Sequence, residues 1–267
     1  MNENSTLKEK VPKPAVYFTI RELLIIAVLA LMAVLTGTFA PKNLNLGDGG
    51  LVPTVTHGIL KLPGPGTGLM LFGGALCFWL VLGLLLIKKP WTAVVISVLV
   101  IAIDLLIGQE TVSAIPMSVH SLDVILFIAI IIEVLALLSW DKPPLKYIIP
   151  VILAVLGAIT LFVYLSGQDK IGYVIIAILA FCFALVFYRY PMKFLAACAI
   201  ANMYYILHFW MFCGDSLAAR FPATPVLVPI ILCAGIVGGF LFTTAAYGVD
   251  MLMKSYMDQD SGKAGIS

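Results

Sequence analysis

The stretch LKLPGPGTGLMLFGGALCFWL, residues 60–80, decides the fold. Its first half packs Pro63, Gly64, Pro65, Gly66 and Gly68 into six positions. Proline lacks the amide that a helix needs and clashes with the preceding turn, and glycine loses the most backbone freedom on ordering. The spacing therefore predicts a loop that runs to Gly66, shaped and facing water. From Leu69 onward the residues are almost wholly apolar, as expected of a chain entering lipid.

The rest of the chain supports that reading. Of 267 residues, 62% are apolar and only 11% charged, with a mean hydropathy of +1.09, whereas about a quarter of a soluble domain's residues are charged. The composition implies an all-α, polytopic membrane helix bundle in a cell membrane. The net charge of +2 and the lack of a basic run interleaved with aromatics exclude a nucleic-acid partner. The five cysteines have no CxxC or metal-type spacing and read as small core hydrophobes, without disulfide or redox chemistry.

A membrane-crossing helix needs about 20 predominantly apolar residues, because no water is present to satisfy its backbone. Eight segments approach that length, at about 18–40, 67–87, 90–108, 122–140, 146–166, 171–188, 192–213 and 226–248. Pro41, Pro90, Pro143, Pro144, Pro191 and Pro225 mark their boundaries. With the N-terminus in the cytoplasm and all eight segments crossing, 12 of the 16 lysines and arginines fall on the cytoplasmic side. Lys42, Lys61, Lys170 and Arg220 stay outside. The positive-inside rule thus predicts that both termini are cytoplasmic. The first apolar run exceeds a signal-peptide core, and Pro41 would hinder cleavage, so it is read as a retained helix. The expected organisation is a tail over 1–17, a transmembrane domain over 18–248 and a second tail over 249–267.

Connectors after the second, fourth and sixth helices are only a few residues long, which pairs neighbouring helices as antiparallel hairpins. The exception is the outer loop 41–66, PKNLNLGDGGLVPTVTHGILKLPGPG, which mixes Gly, Pro and Asn with apolar residues. Loops of that length are usually functional or disordered. This one reads as a lid over a binding site, with Gly64 and Gly66 allowing close backbone approach. A solvated connector is the plainer alternative.

The order of features has a further meaning. A small-residue first helix precedes the long outer loop ending in PGPGTG, then the hairpin GLLLIKKPWTAVV and the segment 103–108, IDLLIG. This order resembles the substrate-binding S-components of energy-coupling factor transporters, in the branch associated with thiamine and its hydroxymethylpyrimidine precursor. The resemblance covers about residues 18–140. That family has six helices, so residues 141–248 depart from its pattern by one extra hairpin. It implies a receptor that captures a vitamin-like small molecule on the outer side, then joins a membrane coupling subunit and cytoplasmic ATPases. The chain carries no GxxxxGK[ST] loop, so any ATP would be used by those partners. Ala27, Ala30 and Ala33, with Gly37 four residues on, make a small-residue stripe suited to docking such a partner or to packing within the bundle.

Polar groups within the apolar segments carry the candidate chemistry, since each costs about 2–3 kcal/mol unless paired or wet. Asp104 near the outer end of the third helix, with His120 and Asp123 at the outer start of the fourth, could meet a cationic ligand. Glu133 is expected near the middle of the fourth helix, about 15 Å from Asp123. Asp123 is equally suited to the helix N-terminus, and Asp104 and Glu133 to buried pairing with a tyrosine or amide. In the seventh helix Asn202, Tyr205 and His208 recur every three residues, a spacing read as one polar-aromatic face for a flat heterocycle or as an interhelical hydrogen-bond seam. Tyr204 and Trp210 are expected to face elsewhere.

His57, His120 and His208 come from separate segments without ligand spacing, so neither a metal nor a cofactor is expected. No nucleophile–base grouping is specified, and no catalytic residue or enzyme activity is expected. Two functions stand: a substrate-capture subunit of a vitamin-type uptake system, or a structural or assembly subunit of a membrane complex without its own ligand.

Overall fold

The computed structural model describes residues 17–43, 64–107, 120–167, 171–220 and 227–264, and their side chains over 17–36, 73–106, 123–167, 171–205, 207–208 and 228–256. The described residues form eight helices and no strand: α1 (Ile20–Asn43), α2 (Gly64–Ile87), α3 (Thr92–Ile107), α4 (His120–Leu135), α5 (Leu145–Leu165), α6 (Ile171–Arg189), α7 (Lys193–Arg220) and α8 (Leu227–Ala264). Among the described residues, three stretches are long and apolar enough to cross a membrane, Leu145–Leu165, Ile171–Arg189 and Val228–Tyr256. Gly73–Ile87 and Thr92–Leu106 are shorter apolar stretches.

Each expected segment is a helix, but several ends move. The outer loop 41–66 is corrected over 64–66, because α2 already begins at Gly64. Pro65 lies in the first turn, where its missing N–H would have had no helical partner. At the other side of the outer loop, α1 continues two residues past Pro41. The remainder of the proposed lid, 44–63, lies outside the described residues. The fourth helix stops at Leu135 rather than 140. Beyond it Trp140 turns back, its indole N–H donating to the Leu135 carbonyl at 2.7 Å and its ring meeting Phe187 edge-on. The last helix runs 38 residues instead of ending near 248, so most of the expected C-terminal tail is helical. Residues 249–264 contain no proline, and the Asp250–Lys254 pair at i, i+4 supports the turns just beyond 248.

Helices α2, α7 and α8 form the central layer. The α5–α6 hairpin rests on α8, α1 and α3 rest on α2, and α4 lies against α3 and α7. One core cluster joins α1–α4 and the start of α7 through Ile26, Leu80, Ile96 and Ile128; a second joins α5–α8 through Leu153, Ala180, Phe187 and Phe240. At the α7–α8 crossing, a Cβ on Gly239 would stand 2.7 Å from the Cys198 carbonyl oxygen. Only glycine permits that approach. Gly235 lies four residues earlier, making a GxxxG edge of the kind that lets two helix backbones touch.

The lysine-bearing junctions come together at one end. There the Tyr17 hydroxyl donates to the Pro90 carbonyl at 3.1 Å, and Lys89 Nζ bonds both the Tyr17 carbonyl (2.8 Å) and Glu22 (2.7 Å). Lys88 and Trp91 flank this corner with positive φ, 58° and 66°. Across the same end Lys146 lies over the Tyr188 ring, and Phe194 at the start of α7 meets Tyr247 of α8.

Candidate functional site

At the opposite end, α4 and α7 place four side chains together. Asp123 and Phe127 are four residues apart on α4, and Tyr204 and His208 four apart on α7, so each pair shares one face of its helix. The Phe127 and Tyr204 rings are 6.1 Å apart and the Tyr204 and His208 rings 5.9 Å. His208 Nε2 lies 3.9 Å from Asp123 Oδ2. The imidazole is only 7% exposed, whereas the carboxylate and Phe127 are 43% and 47% exposed, so the cluster lies at the bundle surface with the imidazole beneath it. The other Asp123 oxygen accepts the Val124 N–H at 2.8 Å. Asp123 therefore serves the α4 N-terminus and faces the imidazole at once. A carboxylate beside an aromatic wall and a ring nitrogen can hold a cationic or amine-bearing flat molecule by charge, stacking and hydrogen bonding.

Asp104 belongs to the same level. It is buried near the end of α3 and engaged with its surroundings. From the contact of Ala93 with Glu133 at the far end, 11 residues of α3 and 10 of α4 bring Asp104 and Asp123 to similar heights, about 15–16 Å along the axes.

Glu133 is corrected. It sits in the last turn of α4, because α4 is shorter than expected, and its Oε1 accepts the Ala93 N–H at 2.8 Å. The first amides of a helix lack internal partners, and a carboxylate at that position satisfies a donor while matching the helix dipole. Glu133 thus anchors α3 to α4 at the lysine-bearing end, away from Asp123.

The single face through Asn202, Tyr205 and His208 is corrected as well. Steps of three fall short of a 3.6-residue turn, so residues 202 and 208 point about 120° apart. Asn202 is fully buried and donates to the Gly235 carbonyl at 2.6 Å, joining α7 to α8. Its Oδ1 finds no conventional donor, but a Cβ on Gly73 would clash with it, and the Gly73 Cα–H occupies that direction. Tyr205 also abuts Gly73, while His208 turns to α4. Tyr204, expected to face away, lies in the cluster; its i, i+4 relation to His208 was the available signal.

The small-residue stripe of α1 divides. Ala30 and Ala33 are buried in the core with Leu29 and Val34, so they pack the protein's own helices rather than a partner. Ala27 is exposed beside Leu24 and Val28. Gly37 lies within α1, His120 opens α4, and Gly64 and Gly66 occupy the first turn of α2; their surroundings lie outside the described side chains. Among the described residues, no group of three or more His, Cys, Asp or Glu side chains could hold a metal ion. Comparison with protein-family models, curated proteins and solved structures finds no match to this chain.

Proposed function

We propose that the chain is a multi-pass protein of the cell membrane whose eight helices all cross, with both termini in the cytoplasm, and that it captures a small molecule on the outer side. The cluster of Asp123, Phe127, Tyr204 and His208 at the end away from the lysines supports this reading. The ligand it suits is a flat heterocycle carrying positive charge. Thiamine, in the branch suggested by the resemblance, has that character, and its pyrimidine precursor keeps the flat amine-bearing ring. In this proposal the protein is the capture subunit of an energy-coupling factor uptake system. A membrane coupling subunit and ATPases would supply the energy.

Mass spectrometry of small molecules that co-purify with the full chain, followed by calorimetric titration of the stripped protein, tests the proposal. Asp123→Asn and His208→Ala should each weaken binding by about 1.5–3 kcal/mol, the usual worth of a hydrogen bond to a charged group; thermal unfolding should be unchanged in Asp123→Asn and lowered in His208→Ala, which empties a buried position. No bound molecule, or unaltered affinity in both variants, overturns it.

A structural or assembly subunit is the second reading. The end of α8 favours it, since Met251, Leu252, Met253 and Tyr256 are exposed beyond the packed core. A protein that never binds a small molecule but co-purifies with a membrane partner through these residues would establish that role instead.

A further inference from the structure

The corner where α5 begins and α6 ends combines two features that the capture site does not use. The first is unbalanced positive charge. At the lysine-bearing end Glu22 is bonded by Lys89, Glu133 by the first turn of α3, and Asp250 by Lys254. Among the described residues of that end, this leaves Asp141 against Arg21, Lys88, Lys142, Lys146, Arg189 and Lys193. Three of those six cations flank the α5–α6 corner: Lys146, Lys142 one turn before it, and Arg189 next to Tyr188, whereas Lys193 lies over the Phe194 ring beside α8. Lys146 stands 5.2 Å from the Tyr188 ring centroid, and the Tyr147 and Tyr188 rings are 6.0 Å apart. Tyr147, Tyr188 and Tyr190 are 45%, 50% and 60% exposed, too much for core residues and typical of tyrosines at a membrane–water boundary.

The second feature is the apolar surface that runs from this corner along the hairpin. On α5 Val151, Val155 and Phe162 are 58%, 52% and 70% exposed, and on α6 Leu185 and Ile178 are 71% and 54% exposed. From Tyr147 to Phe162 the stripe extends about 22 Å. That distance matches the acyl region of one leaflet plus its interface, about half of a 40–45 Å bilayer. A soluble anion would use the cations but not the stripe. An acidic peptide would not need an apolar track at right angles to the bundle end.

We propose that the α5–α6 corner binds an anionic phospholipid, its phosphate held by Lys142, Lys146 and Arg189 and its acyl chains laid along the hairpin. Arg189 can offer a fork of donors to phosphate oxygens, and Lys146 a point charge fixed over Tyr188. Tyrosine hydroxyls at the same height complete a headgroup-level belt. The inference rests on α5 and α6 crossing a membrane, as their length and composition allow, and is independent of the capture site.

Native mass spectrometry of the full chain in neutral detergent, titrated with short-chain phosphatidylglycerol or phosphatidylcholine, tests it. The wild type should bind the first phosphatidylglycerol more tightly than phosphatidylcholine. Lys146→Gln with Arg189→Gln should weaken phosphatidylglycerol on the order of twentyfold, at about fivefold for each cation near an anionic lipid, and leave phosphatidylcholine unchanged. Arg21→Gln with Lys88→Gln removes equal charge from the same end and should have little effect. Equal losses from the two double variants would reduce the effect to diffuse attraction and overturn the site. Displacement of phosphatidylglycerol by millimolar inorganic phosphate would assign the cations to a free anion and overturn the lipid.

Discussion

At the scale of single residues, the interior is held by contacts that tolerate almost no added volume. Gly239 is the clearest, because the atom that a side chain would meet is the Cys198 backbone carbonyl, which cannot move without separating α7 from α8. Gly239→Val should lower the unfolding midpoint in detergent, with a loss of about 1–3 kcal/mol as for other overpacked cores. Gly248 lies on the same helix with open space at its Cβ position. Gly248→Ala should therefore be neutral or stabilising by up to about 1 kcal/mol, since alanine favours a helix interior over glycine. Equal responses at the two positions would contradict the α7–α8 packing. Glu133 is the polar counterpart. Glu133→Ala leaves the Ala93 amide without its carboxylate and should cost about 1–3 kcal/mol, read as earlier thermal unfolding, with the proposed binding at the other end unchanged.

At the scale of elements, α1 separates a buried face from an outward one. Ala30 is 0% exposed, so Ala30→Trp should prevent the α1–α2–α3 contact and give misfolded or strongly destabilised protein. Ala27→Trp on the outward face should leave unfolding unaltered. Size-exclusion profiles and thermal unfolding of the two variants distinguish the faces, and a well-behaved Ala30→Trp protein would contradict the burial. The existence of α1–α8 was legible in the sequence because each is an apolar run between prolines or lysines, and lipid-length runs are a strong signal. Contacts between elements were far less legible. The three-residue recurrence of Asn202, Tyr205 and His208 suggested one face, but helical rotation sends Asn202 to Gly235 and His208 to Asp123. Tyr204 was misplaced for the same reason. The depth of Glu133 depended on where α4 ends, and the apolar residues 134–138 gave no sign that the helix stops at Leu135. Likewise Gly64 and Gly66 fall inside a first turn, where proline and glycine are tolerated, so a strained loop conformation no longer underlies the lid.

At the scale of the whole molecule, the bundle is polarised. One end gathers the lysines and arginines whose side chains are described, with the boundary tyrosines, and the other holds Asp123, His208 and their aromatic neighbours. In the proposed orientation the cationic end meets the cytoplasmic leaflet, where anionic lipids concentrate and basic residues are retained. The acid–imidazole end then faces the compartment from which a cationic nutrient would come. Capture and orientation are thereby linked, since reversing the bundle would put the capture cluster in the cytoplasm. The most direct measurement labels single cysteines at Lys61 and Lys88, in a chain whose five native cysteines are replaced. A membrane-impermeant maleimide applied to intact cells should label the cysteine at position 61, and the one at position 88 only after the membrane is opened. Labelling of both positions from the same side, or of position 88 alone in intact cells, would contradict an outward capture site on an eight-crossing bundle.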